Sequence, residues 1–252
     1  MRVAVALATG LVVLGLGGVV ACGSGGGEGA TSVTSPTTVA PTTAAPTTTT
    51  APTTTTTAPA NGGPSEPTRP GESGAQVEAL QGRLYSLGYF LPAFSGTYDA
   101  STSHAVMAFQ KQHGLGRDGV AGPDTVAALA TATRVAPTQG TERHLEVSLA
   151  DQVLVVVDGN GGAVAVDATT GKASTPTPPG TFGIFRQVDA WDPGPNGSLY
   201  RPKYFNRGIA VHGGPPVIAD PASHGCVRIP DPAIDWLWSS DLAPLGTTVV
   251  VY

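Results

Sequence analysis

This chain has little charge of either sign, and that argues against one class of function. Lys and Arg total 13 residues against 18 Asp and Glu among 252, for a formal net charge of -5. No basic cluster occurs along the sequence, whereas nucleic-acid-binding proteins concentrate Lys and Arg on one face or in one segment. We therefore expect no nucleic-acid partner.

Cysteine is equally scarce, with only Cys22 and Cys226 present. An exported chain with two cysteines would ordinarily be expected to form one disulfide. The sequence contains no H-E-x-x-H and no paired C-x-x-C motif, which are common zinc-binding patterns. We expect neither a metal nor a cofactor.

The longest apolar run lies at the N-terminus, where residues 3–21 carry no charge behind a single Arg2. Such a run fits a signal peptide or a short membrane span. It ends V-V-A-C-G, which resembles the lipobox of bacterial lipoprotein precursors. The resemblance implies that residues 1–21 are removed and that Cys22 is lipidated. The alternative is an uncleaved anchor helix, and both readings place the rest of the chain outside the cytoplasm, attached to the membrane.

Lipidation of Cys22 would remove the only disulfide partner of Cys226. Cys226 would then be a free thiol in an extracytoplasmic protein, which makes it a candidate nucleophile.

The segment that follows Cys22 has no charge between residues 31 and 60, where half the positions are Thr and prolines recur. Such a composition cannot build a core. We predict a disordered tether over residues 22–74.

Residues 75–133 have the pattern of a small helical module. Apolar residues recur at helical spacing before a glycine stop, namely Val77, Leu80, Leu84, Leu87 and then Gly88. A second helix is predicted from near Asp99 or Ser101 to Gly114, and a third from Pro123. We interpret His104 and His113 as surface or packing residues.

The motifs of this module, V-x-x-L-Q-x-x-L-x-x-L-G-Y, A-V-x-A-F-Q-K-Q-H-G-L and D-G-V-A-G-P-D-T, resemble the three-helix peptidoglycan-binding domain. That resemblance implies peptidoglycan, including its glycan, as a partner. The alternative is a spacer bundle without a ligand, because helical spacing alone indicates packing and not binding.

From residue 142 the hydrophobic period changes to that of strands. Alternation from Leu145 to Leu149, an apolar run at 153–157 and a further stretch at 163–168 predict a hairpin. More strands are expected at 182–188, at 208–211 and at the C-terminus, with a helix at 233–239. We predict a mostly β domain over 142–252, and thus an α+β chain. The helical module and the β domain are each expected to have a core of their own.

Two motifs in the β domain carry the chemistry, I-A-V-H-G-G at 209–214 and S-H-G-C-V-R-I at 223–229. Acyl transfer by a thiol needs a thiolate, a base and donors for the developing oxyanion. Cys226 is the candidate nucleophile and His212 the base, with the Gly213 carbonyl orienting its ring. The amides around Gly225 and Cys226 are candidate oxyanion donors. Arg228 could lower the thiol pKa, together with His212, or hold a substrate carboxylate.

At these residues the chain resembles the L,D-transpeptidase catalytic domain family. The resemblance extends to T-G-K-A-S-T-P-T-P-P-G-T-F at 170–182 and covers nearly all of 144–252. It implies a β-sandwich-like fold and attack by the cysteine on the third residue of a peptidoglycan stem peptide. A terminal D-alanine leaves, and an amine of a neighbouring stem resolves the thioester into a cross-link. Some members have Asn two residues after the cysteine, where this chain has Arg228.

Carried over by position, the family pattern assigns catalytic roles to Cys226, His212 and Gly213 and substrate-binding roles to Ser223, His224, Gly225 and Arg228. Three alternatives stay open at this point. Water or a wall protein could resolve the thioester, giving a carboxypeptidase or a protein-attachment enzyme. His212, His224 and Cys226 could instead bind the zinc of a peptidase. The chain could also be a non-catalytic lipoprotein that anchors at the wall.

Overall fold

The computed structural model describes residues 62–252, and its first part is helical. Three helices span Ala75–Leu87 (α1), Ala100–Gln112 (α2) and Pro123–Thr131 (α3). Gly88 ends α1 in the left-handed conformation, and the Asp99 side chain caps α2 by accepting a hydrogen bond from the Thr102 amide at 2.8 Å. The three predicted helices are therefore present. None of the helices in residues 62–252 has the length and apolar character needed to cross a membrane.

The N-terminal predictions fall mostly outside the described residues. The signal peptide at 1–21, Cys22 and the tether up to residue 61 are among them. Residues 62–74, the end of the predicted tether, lie against the helical module: Thr68 is buried and pairs with Ala121, and the Gly71 amide donates to the Tyr98 carbonyl at 2.9 Å. The ordered module thus begins ahead of Ala75.

Ten strands and a fourth helix make up the rest of residues 62–252. The strands are His144–Ser148 (β1), Val153–Val157 (β2), Ala163–Asp167 (β3), Gly180–Gly183 (β4), Arg186–Gln187 (β5), Trp191–Asp192 (β6), Leu199–Asn206 (β7), Ile209–Gly213 (β8), Val227–Arg228 (β9) and Thr248–Val251 (β10). Helix α4, Asp231–Ser239, lies between β9 and β10.

The strands form two sheets. The first has the order β3-β2-β1-β10-β4, with β1 and β10 parallel and the other pairs antiparallel. The second has the order β5-β7-β8-β9, with β6 also on β7 and with β8 and β9 parallel. A shared core joins the sheets and α4, formed by residues such as Leu154 and Val156 from the first sheet, Val211 and Val227 from the second, and Ile234 from the helix. The predicted α+β chain with a mostly β, sandwich-like domain is confirmed.

The prediction of separate cores holds for the sandwich but not for the helical module. Val153, Val155 and Val157 point away from the sandwich and pack in one cluster with helical residues such as Leu84 and Phe109. Strand β2 is buried at all five positions, since helices cover one of its faces and the second sheet covers the other. The continuous apolar run at 153–157 reflects this double burial. Helices and sheets accordingly belong to one compact unit.

A buried ion pair crosses the contact between the helices and the first sheet. Lys111 Nζ, on α2, lies 2.6 Å from Asp167 Oδ1 at the end of β3, and both side chains are almost fully buried. Nζ also donates to the carbonyls of Gln152, Ala168 and Ile218. Burial lowers the pKa of Lys111, and Asp167 opposes this shift. His104 Nδ1 lies 2.7 Å from Asp167 Oδ2. We call this cluster of Lys111, Asp167 and His104 the joint.

Candidate active site

Strands β8 and β9 bring the predicted histidine and cysteine motifs to one cleft. The strands pair in parallel, with His212 opposite Arg228, and the Ile229 amide donates to the His212 carbonyl at 3.0 Å. Cys226 directly precedes β9, so this pairing fixes its backbone beside β8. The cleft has a volume of about 540 Å³. Its lining includes His212, Ser223, His224, Cys226 and Arg228.

His212 is held as a neutral base. Its Nδ1 lies 2.7 Å from the Gly213 carbonyl, and because a carbonyl only accepts, Nδ1 carries the proton. The other ring nitrogen, Nε2, is then free to accept one. Burial lowers the pKa of His212 to about 4, although the bond to Gly213 opposes this, and Arg228 lowers the pKa further. The imidazole is therefore uncharged near neutral pH.

Cys226 is held as a neutral thiol. Its Sγ contacts the Gly208 carbonyl at 3.8 Å. Burial raises the pKa of the thiol, and the Ala210 backbone and Arg228 only partly oppose this shift. The expectation of a lowered thiol pKa is wrong. Arg228 does lower the pKa, but burial raises it by more, and the sequence does not show how deeply the sulfur is enclosed. At rest, a thiol and an imidazole face the same cleft, both without charge.

The loop that presents Cys226 is closed on itself by Ser223. The buried Ser223 hydroxyl donates to the Cys226 carbonyl at 2.6 Å and accepts from the Gly225 amide at 3.0 Å. Gly225 has a φ of +112°, a conformation that favours glycine. The Gly225 amide is thus already bonded, which corrects its assignment as an oxyanion donor. Of the two predicted donors, the Cys226 amide remains.

A second loop, residues 170–182, supports the cysteine loop from behind, and sequence reasoning gave its threonines no role. The buried Thr177 hydroxyl donates to the Gly225 carbonyl at 2.8 Å and accepts from the Gly171 amide at 2.9 Å. The Thr170 carbonyl accepts a hydrogen bond from the Ser223 amide at 3.0 Å. The T-G-K-A-S-T-P-T segment stands out in the sequence, but its spacing alone does not indicate that it contacts the loop of Cys226.

The cleft is lined by three arginines, which differ in their partners. Arg186 pairs with Asp192 at 2.8 Å, and the Tyr204 hydroxyl donates to the same carboxylate. No ion pair within residues 62–252 involves Arg207 or Arg228. The cleft therefore offers two guanidinium groups to a ligand carboxylate. His224 is exposed at the same cleft.

The zinc alternative requires three ligands to lie together. Across the described part of the chain, no group of three His, Cys, Asp or Glu side chains is arranged to hold a metal ion. His212 also uses Nδ1 to bond Gly213. A chelator experiment, described below, tests this alternative directly.

Comparison with known families assigns both modules. The peptidoglycan binding domain family matches residues 73–129. The L,D-transpeptidase catalytic domain family matches residues 142–251. The second match contains every residue of the cleft described above.

The Xylanimonas cellulosilytica relative described next shows the family, and two further proteins are similar over part of the chain or in sequence. A solved L,D-transpeptidase structure from Xylanimonas cellulosilytica is 40% identical, covers 74% of this chain and 98% of that chain, and superposes with a TM-score of 0.69. An L,D-transpeptidase from Stackebrandtia nassauensis is 25% identical over 75% of this chain and 96% of that chain, with a TM-score of 0.46. The N-acetylmuramoyl-L-alanine amidase CwlL of Bacillus licheniformis is 48% identical over 62 residues, which is 24% of this chain and only 17% of the amidase. The chain thus belongs to the L,D-transpeptidase family and carries a peptidoglycan-binding domain ahead of its catalytic domain.

Proposed function

We propose that this protein is a peptidoglycan L,D-transpeptidase that cross-links stem peptides through a thioester on Cys226. The observation that carries the proposal is the convergence of Cys226 and His212 in one cleft, with His212 fixed as an Nδ1–H tautomer by Gly213. Family membership supports the substrate class, and this geometry supports the proposed roles of the two residues.

The first half-reaction forms the thioester. Sγ of Cys226 attacks the carbonyl carbon of the third stem residue while Nε2 of His212 takes the thiol proton. Because the thiol and the imidazole are both neutral at rest, the proton moves as the sulfur attacks and no preformed ion pair is needed. The Cys226 amide is the proposed donor to the oxyanion. Collapse of the intermediate breaks the bond to the terminal D-alanine, whose amine takes the proton back from His212.

The second half-reaction transfers the acyl group. An amine of a neighbouring stem attacks the thioester carbonyl, and His212 accepts a proton from that amine. The bond from carbon to sulfur breaks, and Cys226 leaves as a thiol once His212 returns the proton. The product is an amide between two stems. Both half-reactions therefore use one base in one tautomer.

Two free guanidinium groups argue for a donor stem that carries free carboxylates. Arg207 and Arg228 line the cleft without ion-pair partners in residues 62–252. A guanidinium can bind a carboxylate through two parallel hydrogen bonds. The same cleft would lose this interaction with a stem whose carboxylates are amidated.

The remaining parts of the chain place this chemistry at the wall. The helical module is proposed to bind peptidoglycan, and a lipid on Cys22 is proposed to hold the protein on the outer side of the membrane. Labelling of growing cells with a radioactive fatty acid tests the anchor: the full chain should incorporate the label and Cys22→Ser should not. Equal labelling of both proteins would exclude lipidation at Cys22.

The activity is tested by incubating the purified protein with a tetrapeptide stem and identifying the products by mass. Transpeptidation gives a dimer of two stems that has lost one terminal D-alanine. Release of the tripeptide alone would indicate a carboxypeptidase, and the absence of any product would favour a wall-anchoring protein without catalysis. Loss of activity with chelator and its recovery with zinc would favour a metallopeptidase.

A further inference from the structure

Asp231, the first residue of α4, contacts the end of strand β8 behind the catalytic histidine. Its Oδ1 accepts a hydrogen bond from the Gly214 amide at 2.6 Å. That amide belongs to the same planar peptide group as the Gly213 carbonyl. The carbonyl in turn accepts the hydrogen bond from His212 Nδ1 at 2.7 Å. One peptide group therefore connects a carboxylate to the imidazole.

The two glycines make this close approach sterically feasible. An ideal Cβ at position 213 would lie 2.5 Å from Asp231 Oδ1 and 3.0 Å from Ile234 Cγ2. Gly214 has a φ of +102°, which residues with a side chain rarely adopt. Any other residue at position 213 would push Asp231 away from the peptide. The two glycines of the H-G-G sequence thus leave room for Asp231 of α4 beside the peptide that His212 bonds.

Building on the proposed function, we propose that Asp231 is a positioning residue for His212 and acts through the peptide between Gly213 and Gly214. It fixes the orientation of that peptide, keeps His212 in the Nδ1–H tautomer and stabilises the imidazolium that forms when Nε2 takes a proton. In a Ser-His-Asp triad the carboxylate contacts the imidazole directly. Here a peptide group stands between them.

The physical basis is polarisation of the amide. A charge-assisted hydrogen bond to the N–H end of a peptide increases the negative charge on its carbonyl oxygen. The Gly213 oxygen then becomes a better acceptor for Nδ1–H, most of all when the ring is positively charged. The charge of Asp231 also opposes that of Arg228, because Asp231 raises the pKa of His212 whereas Arg228 lowers it.

A carbapenem offers the Cys226 thiol a strained carbonyl, so its acylation reports the same attack as the proposed first half-reaction. The test compares this acylation in the full-length wild type, Asp231→Asn and Asp124→Asn. The asparagine keeps an oxygen for the Gly214 amide but removes the charge. Asp124 is the matched control, since it lies exposed in the first turn of α3 and shares only the general effect of an acidic residue at a helix start. Stopped-flow measurement over a range of carbapenem concentrations separates the maximal acylation rate from the apparent binding constant.

We expect Asp231→Asn to lower the maximal acylation rate by about tenfold to a hundredfold, as loss of a charge-assisted bond implies. The binding constant should stay within about twofold, and Asp124→Asn should match the wild type. An unchanged acylation rate in Asp231→Asn would overturn the proposal, as would an equal loss in Asp124→Asn. A wild type that is not acylated at all would contradict the proposed function itself.

Imidazole nitrogen spectra of the wild type and of Asp231→Asn test the same point through the tautomer of His212. His212 should give one set of signals with the proton on Nδ1, and Asp231→Asn should show a growing share of the Nε2–H tautomer. A mixture of tautomers in the wild type would overturn the proposal. A merely structural role for Asp231 would leave the tautomer unchanged in the variant.

Discussion

The cluster around Lys111 and Asp167 and the cleft of His212 and Cys226 are both buried polar centres, but they differ in whether a buried charge is present at rest. At the joint, Lys111 Nζ is surrounded by a carboxylate and three carbonyls. In the cleft, burial raises the pKa of Cys226 and lowers that of His212, and neither group has an ion-pair partner in residues 62–252. The joint thus pairs a buried ammonium with a carboxylate, whereas the resting cleft holds a neutral thiol and a neutral imidazole.

The difference shows what each centre does. A buried ion pair with all its hydrogen bonds made holds two elements in one arrangement, because breaking it leaves an unpaired charge. A neutral thiol and a neutral imidazole in a partly enclosed cleft cost little at rest, and in the proposed mechanism the proton passes between them only when substrate is attacked. We therefore expect substitutions in the joint to change stability and substitutions in the cleft to change activity.

Removing the sulfur should have the largest effect. Cys226→Ala is expected to abolish turnover, since no other group in the cleft can form the thioester, and to leave the fold intact because only one atom is lost from a loop. Product analysis by mass and a thermal unfolding curve check the two halves of this prediction. Turnover of Cys226→Ala at the wild-type rate would assign the nucleophile to another residue.

Removing the base comes next. His212→Ala should slow acylation by about a hundredfold to ten-thousandfold, as expected for loss of a positioned general base. The thiol stays in place, so slow acylation at Cys226 should still be detected by mass spectrometry. If acylation were equally fast in His212→Ala, another group would have to accept the proton of the Cys226 thiol.

The joint can be broken separately from the cleft. Lys111→Met should destabilise the protein by about 3–5 kcal/mol, because it leaves the Asp167 carboxylate buried with His104 as its remaining side-chain partner. Denaturant unfolding of the full chain measures this effect.

Lys203→Met is the matched control. Lys203 is also buried, and its pKa is lowered by burial to about 8, but it donates only to the Ala243 carbonyl, which Gln187 also bonds. Its Nζ also lies 4.0 Å from the centroid of the Trp238 ring. We expect a loss of at most about 2 kcal/mol, since that contact is lost but no buried charge or acceptor is left unpaired. Equal losses in Lys111→Met and Lys203→Met would remove the contrast between the joint and an ordinary buried lysine.

The smallest effect concerns pH. With a His212 pKa of about 4, the base stays unprotonated as the pH falls from neutral and is lost only as the pH drops through that value. The carbapenem acylation rate should therefore be nearly constant between about pH 5 and pH 8 and decline about tenfold per pH unit below about 4. A decline centred near the ordinary histidine pKa of about 6.5 would show that the cleft does not shift His212.

Much of this architecture could be predicted from local patterns. The helix starts at Asp99 and Pro123 and the stop at Gly88 are local signals, and the structure confirms them. Strand β7 was missed, because Pro202 interrupts its pattern and Arg201 has a φ of +51°, where the register with β8 shifts. A strand that contains a proline and an irregularity does not show the alternation on which the prediction depends.

The candidate site was predictable in its residues and not in its electrostatics. The motifs at 209–214 and 223–229 identify Cys226 and His212, but the direction of their pKa shifts depends on enclosure by segments distant in sequence. Asp231 gave no signal either, since its contact with Gly214 spans 17 residues and arises from the position of α4. The Lys111–Asp167 pair spans 56 residues and joins two modules that the sequence presents as independent.

The central claim is that Cys226 carries the acyl group, and trapping that intermediate tests it most directly. The protein is mixed with a tetrapeptide stem, quenched in acid at successive times and measured as intact protein and as peptides. The account predicts a mass increase equal to the stem minus its terminal D-alanine, located on the peptide that contains Cys226 and absent from Cys226→Ala. Consumption of the stem with no adduct at any time, or with an adduct on another residue, would contradict it.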